Sequence, residues 1–329
     1  MVRSACPRYG RVVAYQHPLA YLLGLEGVAL LRAFAGDYDR DFIEARISEV
    51  RRLLDSPSLN GDGVTAAQVD TVSGYQVWSA TYDEPGNGLF AIEEPIVHEM
   101  VGPLSPGVAL DAACGSGRYT EYLAKQGHRV IGVDSSPEML AHARRRVPDA
   151  ELRQGDLHRL PLPDDHVDVV VCALALTHLP DVGPAITEFA RVLRPGGHLV
   201  ITDVHHELVA LGSVPRVRSA DGDPRLLPAF RHRASDYLRV ALPLGLQVRR
   251  CEEPRSSGDA SGDMPREIVT GPWDAWPWSL VGIVPAATGA AWDGTPSQII
   301  WHFQLASQDW PGPDAGMTAH GVGDVVPVD

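Results

Sequence analysis

The sequence predicts an α/β protein, with a doubly wound and mostly parallel sheet and a helical extension ahead of it. Three stretches carry that prediction. Residues 108–134, VALDAACGSGRYTEYLAKQGHRVIGVD, read as strand, glycine turn, helix and strand, one right-handed crossover unit of a parallel sheet. Residues 167–174, VDVVVCAL, form a continuous apolar run, the pattern of a central strand covered on both faces. Residues 194–197, RPGG, are a tight turn that leads from a helix into a further strand over 198–204.

The elements follow in order. Residues 1–12 show no periodicity. From Pro18 to Phe34 apolar residues at helical spacing predict one helix or two short ones, stopped by Gly36, and 41–54 alternate apolar and charged residues as an amphipathic helix. SPSLNGDG at 56–63 is a turn-rich linker. Residues 1–73 thus read as a helical extension, serving as a lid or a dimer contact, in which Tyr15, Tyr21, Phe34 and Tyr38 pack in a core. The main domain spans 74–310. Its helix over 93–100 should carry charges on a solvated face. After the first strand, Tyr119, Tyr122 and Leu123 share a helix face that Gly127 terminates. Ser135 or Ser136, followed by Pro137, starts the next helix, which ends in Arg144, Arg145 and Arg146, where cations complement the helix dipole. A strand at 150–152, the strand over 167–174 and a helix over 184–193 complete the alternation. Residues 207–234 and 254–295 read as insertions on the substrate side, the first loop-like and the second containing a flexible linker at 256–263. A helix from Ser235 or Asp236, a strand at 246–251 and a strand at 299–305 lie around them. Trp273, Trp276, Trp278, Trp292, Trp301 and Trp310 either line a pocket for an aromatic substrate or fill space under loops. The tail over 311–329, rich in Gly, Pro, Asp and Val, is expected to be disordered.

Composition narrows the function classes. A chain of 329 residues with net charge −14 buries a large core and repels phosphate backbones, and no basic patch offsets this, so nucleic acid is excluded as a partner. Cys6, Cys114, Cys172 and Cys251 have neither CxxC nor ligand spacing, which argues against disulfides and a metal site. The apolar stretch near residues 19–34 is interrupted by Glu26 and Arg32 and falls short of a membrane span, so a cytoplasmic protein without a membrane partner is expected.

The chemistry concentrates after the first strand. Asp111, Ala112, Ala113, Cys114, Gly115, Ser116 and Gly117 form the turn, whose glycines let a ligand approach the main chain. Asp134 ends the second strand, where a carboxylate accepts both hydroxyls of a ribose. Thr120 stands where a dinucleotide fingerprint has its third glycine, and Asp111 would repel a pyrophosphate. Both count against an NAD-dependent oxidoreductase. A ligand with a ribose and a cationic group fits instead, as in S-adenosylmethionine. With GVD at 132–134 and RVLRPGGHLVITD at 191–203, the DAACGSG turn resembles the class I S-adenosylmethionine-dependent methyltransferases, closest to the type 11 group that includes ubiquinone and menaquinone enzymes. The resemblance covers residues 75–204.

It implies a seven-stranded sheet with an antiparallel last strand, S-adenosylmethionine as cofactor and S-adenosylhomocysteine as product. The implied acceptor is a small molecule, expected to be an aromatic or heterocyclic natural product methylated on an indole carbon, phenol or amine. A cofactor-binding protein without turnover is the alternative outside catalysis. GYQVWSATYDEPGN at 74–87 resembles the segment that closes over the cofactor's methionine end, making Tyr75 and Tyr82 contacts, with a phenol ring able to shield a sulfonium. Ser135 and Met139 then lie beside Asp134, the thioether toward adenine. Gly155, Asp156 and Leu157 match the adenine-binding turn, and Ala173 ends the central strand above the crevice. Four histidines are candidates for a general base: His178 at the end of the fourth strand, His205 and His206 at the end of the fifth, and His232 ahead of a flanking helix. The DVH pattern favours His205.

Overall fold

The computed structural model describes residues 13–79, 88–255, 265 and 267–307. The chain begins with strand β1 (Val13–Gln16), then α1 (Pro18–Ala35) and α2 (Arg40–Leu54). His17 caps α1 by accepting from the Leu19 amide, Pro18 occupies the first turn, and Gly36 ends the helix at φ 106°. Asp39 caps α2 through the Phe42 amide. β2 (Val64–Gln68), α3 (Thr71–Trp78) and α4 (Gly88–Val101) lead to the first crossover unit, β3 (Val108–Ala112), α5 (Arg118–Lys125) and β4 (Arg129–Asp134). α6 (Pro137–Arg146), β5 (Glu151–Gln154), β6 (Val167–Ala173), α7 (Gly183–Val192) and β7 (Leu193–Val204) continue the alternation. Then come α8 (His206–Ala210), β8 (Arg216–Arg218), β9 (Pro224–Leu226), α9 (Ala234–Ala241), β10 (Leu246–Glu252), α10 (Trp278–Val281), α11 (Pro285–Trp292) and β11 (Gln298–Leu305).

Seven strands form one sheet in the order β10-β11-β7-β6-β3-β4-β5. Every neighbouring pair from β7 to β5 is parallel, and β11 alone runs against its two neighbours. The sheet is the one expected, antiparallel last strand included. β6 is buried because Val169, Val170, Val171 and Cys172 meet helices on both sides. One core, around Leu110, Ile131, Val170, Phe189 and Phe303, lies between the sheet and α7 and α9, and a second, around Val97, Tyr119, Leu123 and Val200, lies between the sheet and α4 and α5.

The N-terminal extension differs from the expected helical one. β1 and β2 pair with β9 and β8 of the first insertion in a second, four-stranded sheet ordered β1-β2-β9-β8. These strands are three to five residues long, too short for local alternation; β8 and β9 pair with each other locally, but β1 must reach β2 beyond α1 and α2, and β2 must reach β9 across the fold, before their backbone groups are satisfied. A separate core joins α1, Leu53, Ala66 and Leu226 to Trp273, Trp276 and α11. The extension and the two insertions are therefore one lobe. By length and composition α1 is apolar enough to cross a membrane, contrary to the sequence expectation. Leu22, Leu25, Ala29 and Ala33 are nonetheless buried in this lobe, together with Glu26, which accepts from Arg46 at 2.9 Å. The aromatic residues of the extension do not all pack inside: Tyr15 is exposed and Phe34 is 91% exposed.

The charges of α4 are also not a uniformly solvated face. Glu93 is fully buried and accepts from Arg118 and from Thr202 on β7, which ties α4 and the start of α5 to the sheet. The Arg118 guanidinium lies over the Phe90 and Tyr119 rings, 4.1 and 4.3 Å from their centroids. Trp273, Trp276 and Trp301 are buried in cores, whereas Trp278 is exposed. The 256–263 linker, Trp310 and the 311–329 tail lie outside the described residues.

Candidate active site

A cavity opens at the carboxyl ends of β3, β4 and β6, where an open parallel sheet places its crevice. Its wall contains Tyr75, Ala113, Gly115, Asp134, Ser135, Met139, Gly155, Asp156, Leu157, Ala173 and His178. These positions come from separate parts of the sequence reading and meet at one site. Tyr82 lies outside the described residues. Thr71, Val133, Ser136, Leu174, Ala175 and Leu179 also line the cavity; of these the sequence marks Ser136, as a helix cap, and not as a cavity residue. The crevice rule pointed to the segment after β6, but nothing local in the sequence marks Thr71.

The turn after β3 is strained where it meets the cavity. Ala113 has φ 59° and Gly115 φ 52°, and Leu174, just after the neighbouring strand β6, has φ 54°. A non-glycine residue in the left-handed region costs about 1–2 kcal/mol, and two of the three such residues among those described line this one cavity. Gly117, at φ 87°, does not line it. A Cβ there would lie 3.1 Å from the Ala143 Cβ, so this glycine lets α5 approach α6 closely.

Asp134 holds the turn as well as the wall. One carboxylate oxygen accepts from the Gly115 amide and the other from the Ser136 amide, each at 2.8 Å. Burial raises its pKa against the lowering effect of these bonds. Each oxygen retains a second lone pair, so the carboxylate can accept a diol in addition. At Asp156, burial raises the pKa, but bonds from the His158 amide and ring outweigh it and hold the carboxylate below its ordinary range.

Four expected cofactor contacts are not at the wall. Asp111 is fully enclosed behind the turn and accepts from the Thr120 hydroxyl at 2.6 Å. Burial raises its pKa to about 6. Ala112 is a buried strand residue, and Ser116 accepts from Arg146 at 3.0 Å. With Gly117, these three shape the turn from behind. Thr120, which counts against a dinucleotide, thus has a positive role as the partner of Asp111.

The histidines separate clearly. His205 is not at the cavity. The chain turns into α8 at this residue, its Nδ1 caps that helix by accepting from the Glu207 amide at 3.3 Å, and its buried Nε2 lies 3.4 Å from Glu253 without hydrogen-bond alignment. His206 begins α8 and does not line the cavity either. His232 donates from Nε2 toward the carbonyls of Leu176 and Leu179 at 3.1 and 2.8 Å, which fixes the segment after β6. Only His178 of the four faces the cavity. Its Nδ1 lies 2.7 Å from the Pro228 carbonyl, which can only accept, so Nδ1 carries the proton and Nε2 is left as an acceptor. The Tyr75 hydroxyl, 2.9 Å from Nε2, therefore donates to it. Burial lowers the His178 pKa, partly opposed by the Pro228 bond, and keeps the ring neutral.

A parallel sheet with one reversed strand, a glycine turn, and an acid at the end of the next strand define the nucleotide-binding domain of class I methyltransferases. Residues 110–201 match the family described as Methyltransferase domain. The chain carries a class I, S-adenosylmethionine-dependent methyltransferase domain. It is 43% identical over 116 residues to a Mycolicibacterium smegmatis protein named "Probable S-adenosylmethionine-dependent methyltransferase", covering 35% of this chain and 45% of that protein. It is 31% identical to the ubiquinone biosynthesis O-methyltransferase of Xylella fastidiosa, covering 42% and 58% of the two chains. The chain thus spans about half the length of these curated relatives. The methyltransferase solved in complex with the Haloferax volcanii Trm112 activator shares the fold, with a TM-score of 0.53 at 22% identity over 72% of this chain and 98% of that one.

Proposed function

We propose that the protein transfers a methyl group from S-adenosylmethionine to a small-molecule acceptor that loses a proton. The observation that supports this most directly is the Tyr75–His178 pair at the wall of the cavity that also contains Asp134 and Asp156. When bound, S-adenosylmethionine supplies an electrophilic methyl group on a sulfonium. The residues present suit it: Asp134 and Ser135 would hold the ribose, Met139, Asp156 and Leu157 the adenine, and Gly115 would leave its main chain open to the methionine end.

The pair supplies a route for the proton. A hydroxyl or protonated amine placed against the Tyr75 oxygen can give its proton to that oxygen as the phenol proton passes to His178 Nε2. The resulting imidazolium keeps its Nδ1–H on the Pro228 carbonyl. Because the ring starts neutral, the pair is ready at neutral pH, and general-base catalysis of this kind is worth about 10²–10⁴ in rate. Positioning of the acceptor supplies the larger part, up to about 7–11 kcal/mol. The proton requirement favours a phenol or amine over an indole carbon, and the named activity of the Xylella relative is O-methylation. A phenolic or amino aromatic acceptor is thus our choice of substrate class, in a cytoplasmic natural-product pathway. Incubating the protein with a metabolite extract and methyl-labelled cofactor, with mass detection of the labelled product, tests the reading. Binding of S-adenosylhomocysteine with no labelled product from any extract would favour a binding protein. We also carry forward the dimer contact through the N-terminal helices, for which the exposed Leu31 and Phe34 of α1 are the candidate surface. A monomer mass in solution scattering removes it.

A further inference from the structure

The second lobe contains a cation that the fold itself does not neutralise. Arg218 and Arg225, in the same insertion, pair with Asp274 and Asp223 at 2.9 and 3.0 Å. Arg216, on β8 with Arg218, has no carboxylate partner among the described residues. Its Nε donates to the Gln16 amide oxygen at 3.2 Å and one terminal nitrogen donates to the Val214 carbonyl at 2.8 Å, both neutral acceptors. Gln16 is held for this purpose by Trp273, whose indole N–H donates to the same oxygen at 2.9 Å. The other terminal nitrogen of Arg216 has no acceptor among the described residues. The buried Tyr21 hydroxyl, which also lacks a hydrogen-bond partner, interacts electrostatically with this guanidinium, and the Tyr21 ring lies against Gly212, two residues ahead of the Val214 that accepts from Arg216. Burial raises the Tyr21 pKa to about 12, against the lowering effect of Arg216, so the phenol keeps its proton and can donate it. Burial likewise lowers that of Arg216 to about 10, which still leaves it charged at neutral pH.

A partly buried charge with only neutral partners is costly, and an unsatisfied hydroxyl beside it adds to the cost. Two donors left without acceptors at one place form a receptor for an oxyanion. The small sheet links this place to the proposed reaction. Arg216 pairs with Leu226 in the small sheet, two residues ahead of Pro228, whose carbonyl holds His178. The adjoining Leu227 amide donates to the Pro215 carbonyl at 3.0 Å. Leu227 also packs against α3 so closely that a Cβ on Gly74 would lie 2.7 Å from it, and α3 is the helix that brings Thr71 and Tyr75 to the cavity.

We propose that Arg216 and Tyr21 bind an oxyanion, a carboxylate or a phosphate monoester, carried by the methyl acceptor. This deepens the methyl-transfer reading and rests on it. The acceptor would then be held at two points, its anionic group by the N-terminal lobe and its nucleophile by Tyr75 and His178.

The test is calorimetric titration of the full-length protein with benzoate, phenyl phosphate and their neutral relative benzamide, each with and without S-adenosylhomocysteine. Expected is binding of at least one anion and much weaker binding of benzamide. The preference between benzoate and phenyl phosphate distinguishes a carboxylate from a phosphate source. Arg216→Gln should weaken anion binding about tenfold or more and Tyr21→Phe about threefold. Arg216→Lys should retain part of it, and S-adenosylhomocysteine affinity should be unchanged in all three. Equal binding of benzoate, phenyl phosphate and benzamide by the wild-type protein overturns the proposal, as does an anion affinity indifferent to these substitutions. If Arg216→Gln does not fold, the Lys and Phe variants decide. Loss of S-adenosylhomocysteine binding in the wild-type protein would count against the methyl-transfer reading instead, and the titrations without it would still report on the anion site.

Discussion

Replacing Tyr75 by Phe removes a single oxygen from the proposed proton route and leaves the ring in place. The structure sets two separate magnitudes. For folding, the 2.9 Å bond to His178 is lost and a buried Nε2 acceptor is orphaned, a cost of about 1–3 kcal/mol. For the reaction, the acceptor loses its first proton acceptor, and turnover should fall by about 10² or more if proton removal accompanies methyl transfer. Affinity for S-adenosylhomocysteine should change little, because a phenyl ring still covers that end of the cavity. The pH profile gives the readout that a packing role would not. Since burial lowers the His178 pKa, wild-type turnover should stay flat as pH falls through the ordinary histidine range near 6.5 and decline only below it. In Tyr75→Phe that lower limb should move or vanish. The assay is the rate of S-adenosylhomocysteine release across pH with the identified acceptor. Turnover within about threefold of wild type, with the same lower limb, would refute the route, because a general base is worth far more.

Other outcomes follow from the same geometry. Asp134→Ala should weaken S-adenosylhomocysteine binding at least about tenfold and also destabilise the fold, because it removes charge-assisted bonds worth about 1.5–3 kcal/mol each from the Gly115 and Ser136 amides; an unchanged calorimetric affinity would sink the ribose assignment. Asp156→Ala should have a smaller effect, because one of its oxygens is already engaged by His158. His205→Ala should leave turnover close to wild type and lower the melting temperature instead, because His205 caps α8; a large loss of turnover at unchanged stability would restore it as a base. Asp203 is buried, accepts from the Tyr237 hydroxyl at 2.9 Å, and has its pKa raised to about 7, chiefly by burial. The folded state therefore holds this proton more tightly than the unfolded chain. Its contribution to stability is fully present below the unfolded value near 3.9 and is lost as pH rises through about 7, on the order of 4 kcal/mol. Asp203→Asn should flatten that part of the stability profile in denaturant titrations across pH.

The turn after β3 and the acids beyond it were readable because their signals are local. Gly115 and Gly117 stand between an apolar strand and a helix with a clear face, Asp134 ends the next strand, and each feature spans a few neighbouring residues. The pairing of Tyr75 with His178 was not readable. It joins residues 103 positions apart, and choosing among four histidines required knowing which backbone turns away. His205 follows a strand ending as His178 does, yet the chain enters α8 at His205 and uses the ring as a cap. Glu93 likewise looked like a surface charge, because its partners Arg118 and Thr202 lie in other elements. The small sheet failed for the same reason. Its strands carry no period of their own, and β1 and β2 depend on pairing with distant segments.

That small sheet also bears on the order in which the protein assembles. Ala67 pairs with Arg225, and the five strands β3 to β7 lie between them in sequence. Contacts of such long range cost loop-closure entropy before they return any stabilisation, whereas the crossover units of the large sheet close over short distances. The expected order is that the nucleotide-binding sheet forms first and the small sheet joins afterwards. Because α3 is packed on that sheet, Tyr75 would reach His178 only in the last step. A refolding chain should then protect the β3–β6 amides from hydrogen exchange before those of β2 and β9, and gain cofactor affinity before it gains turnover.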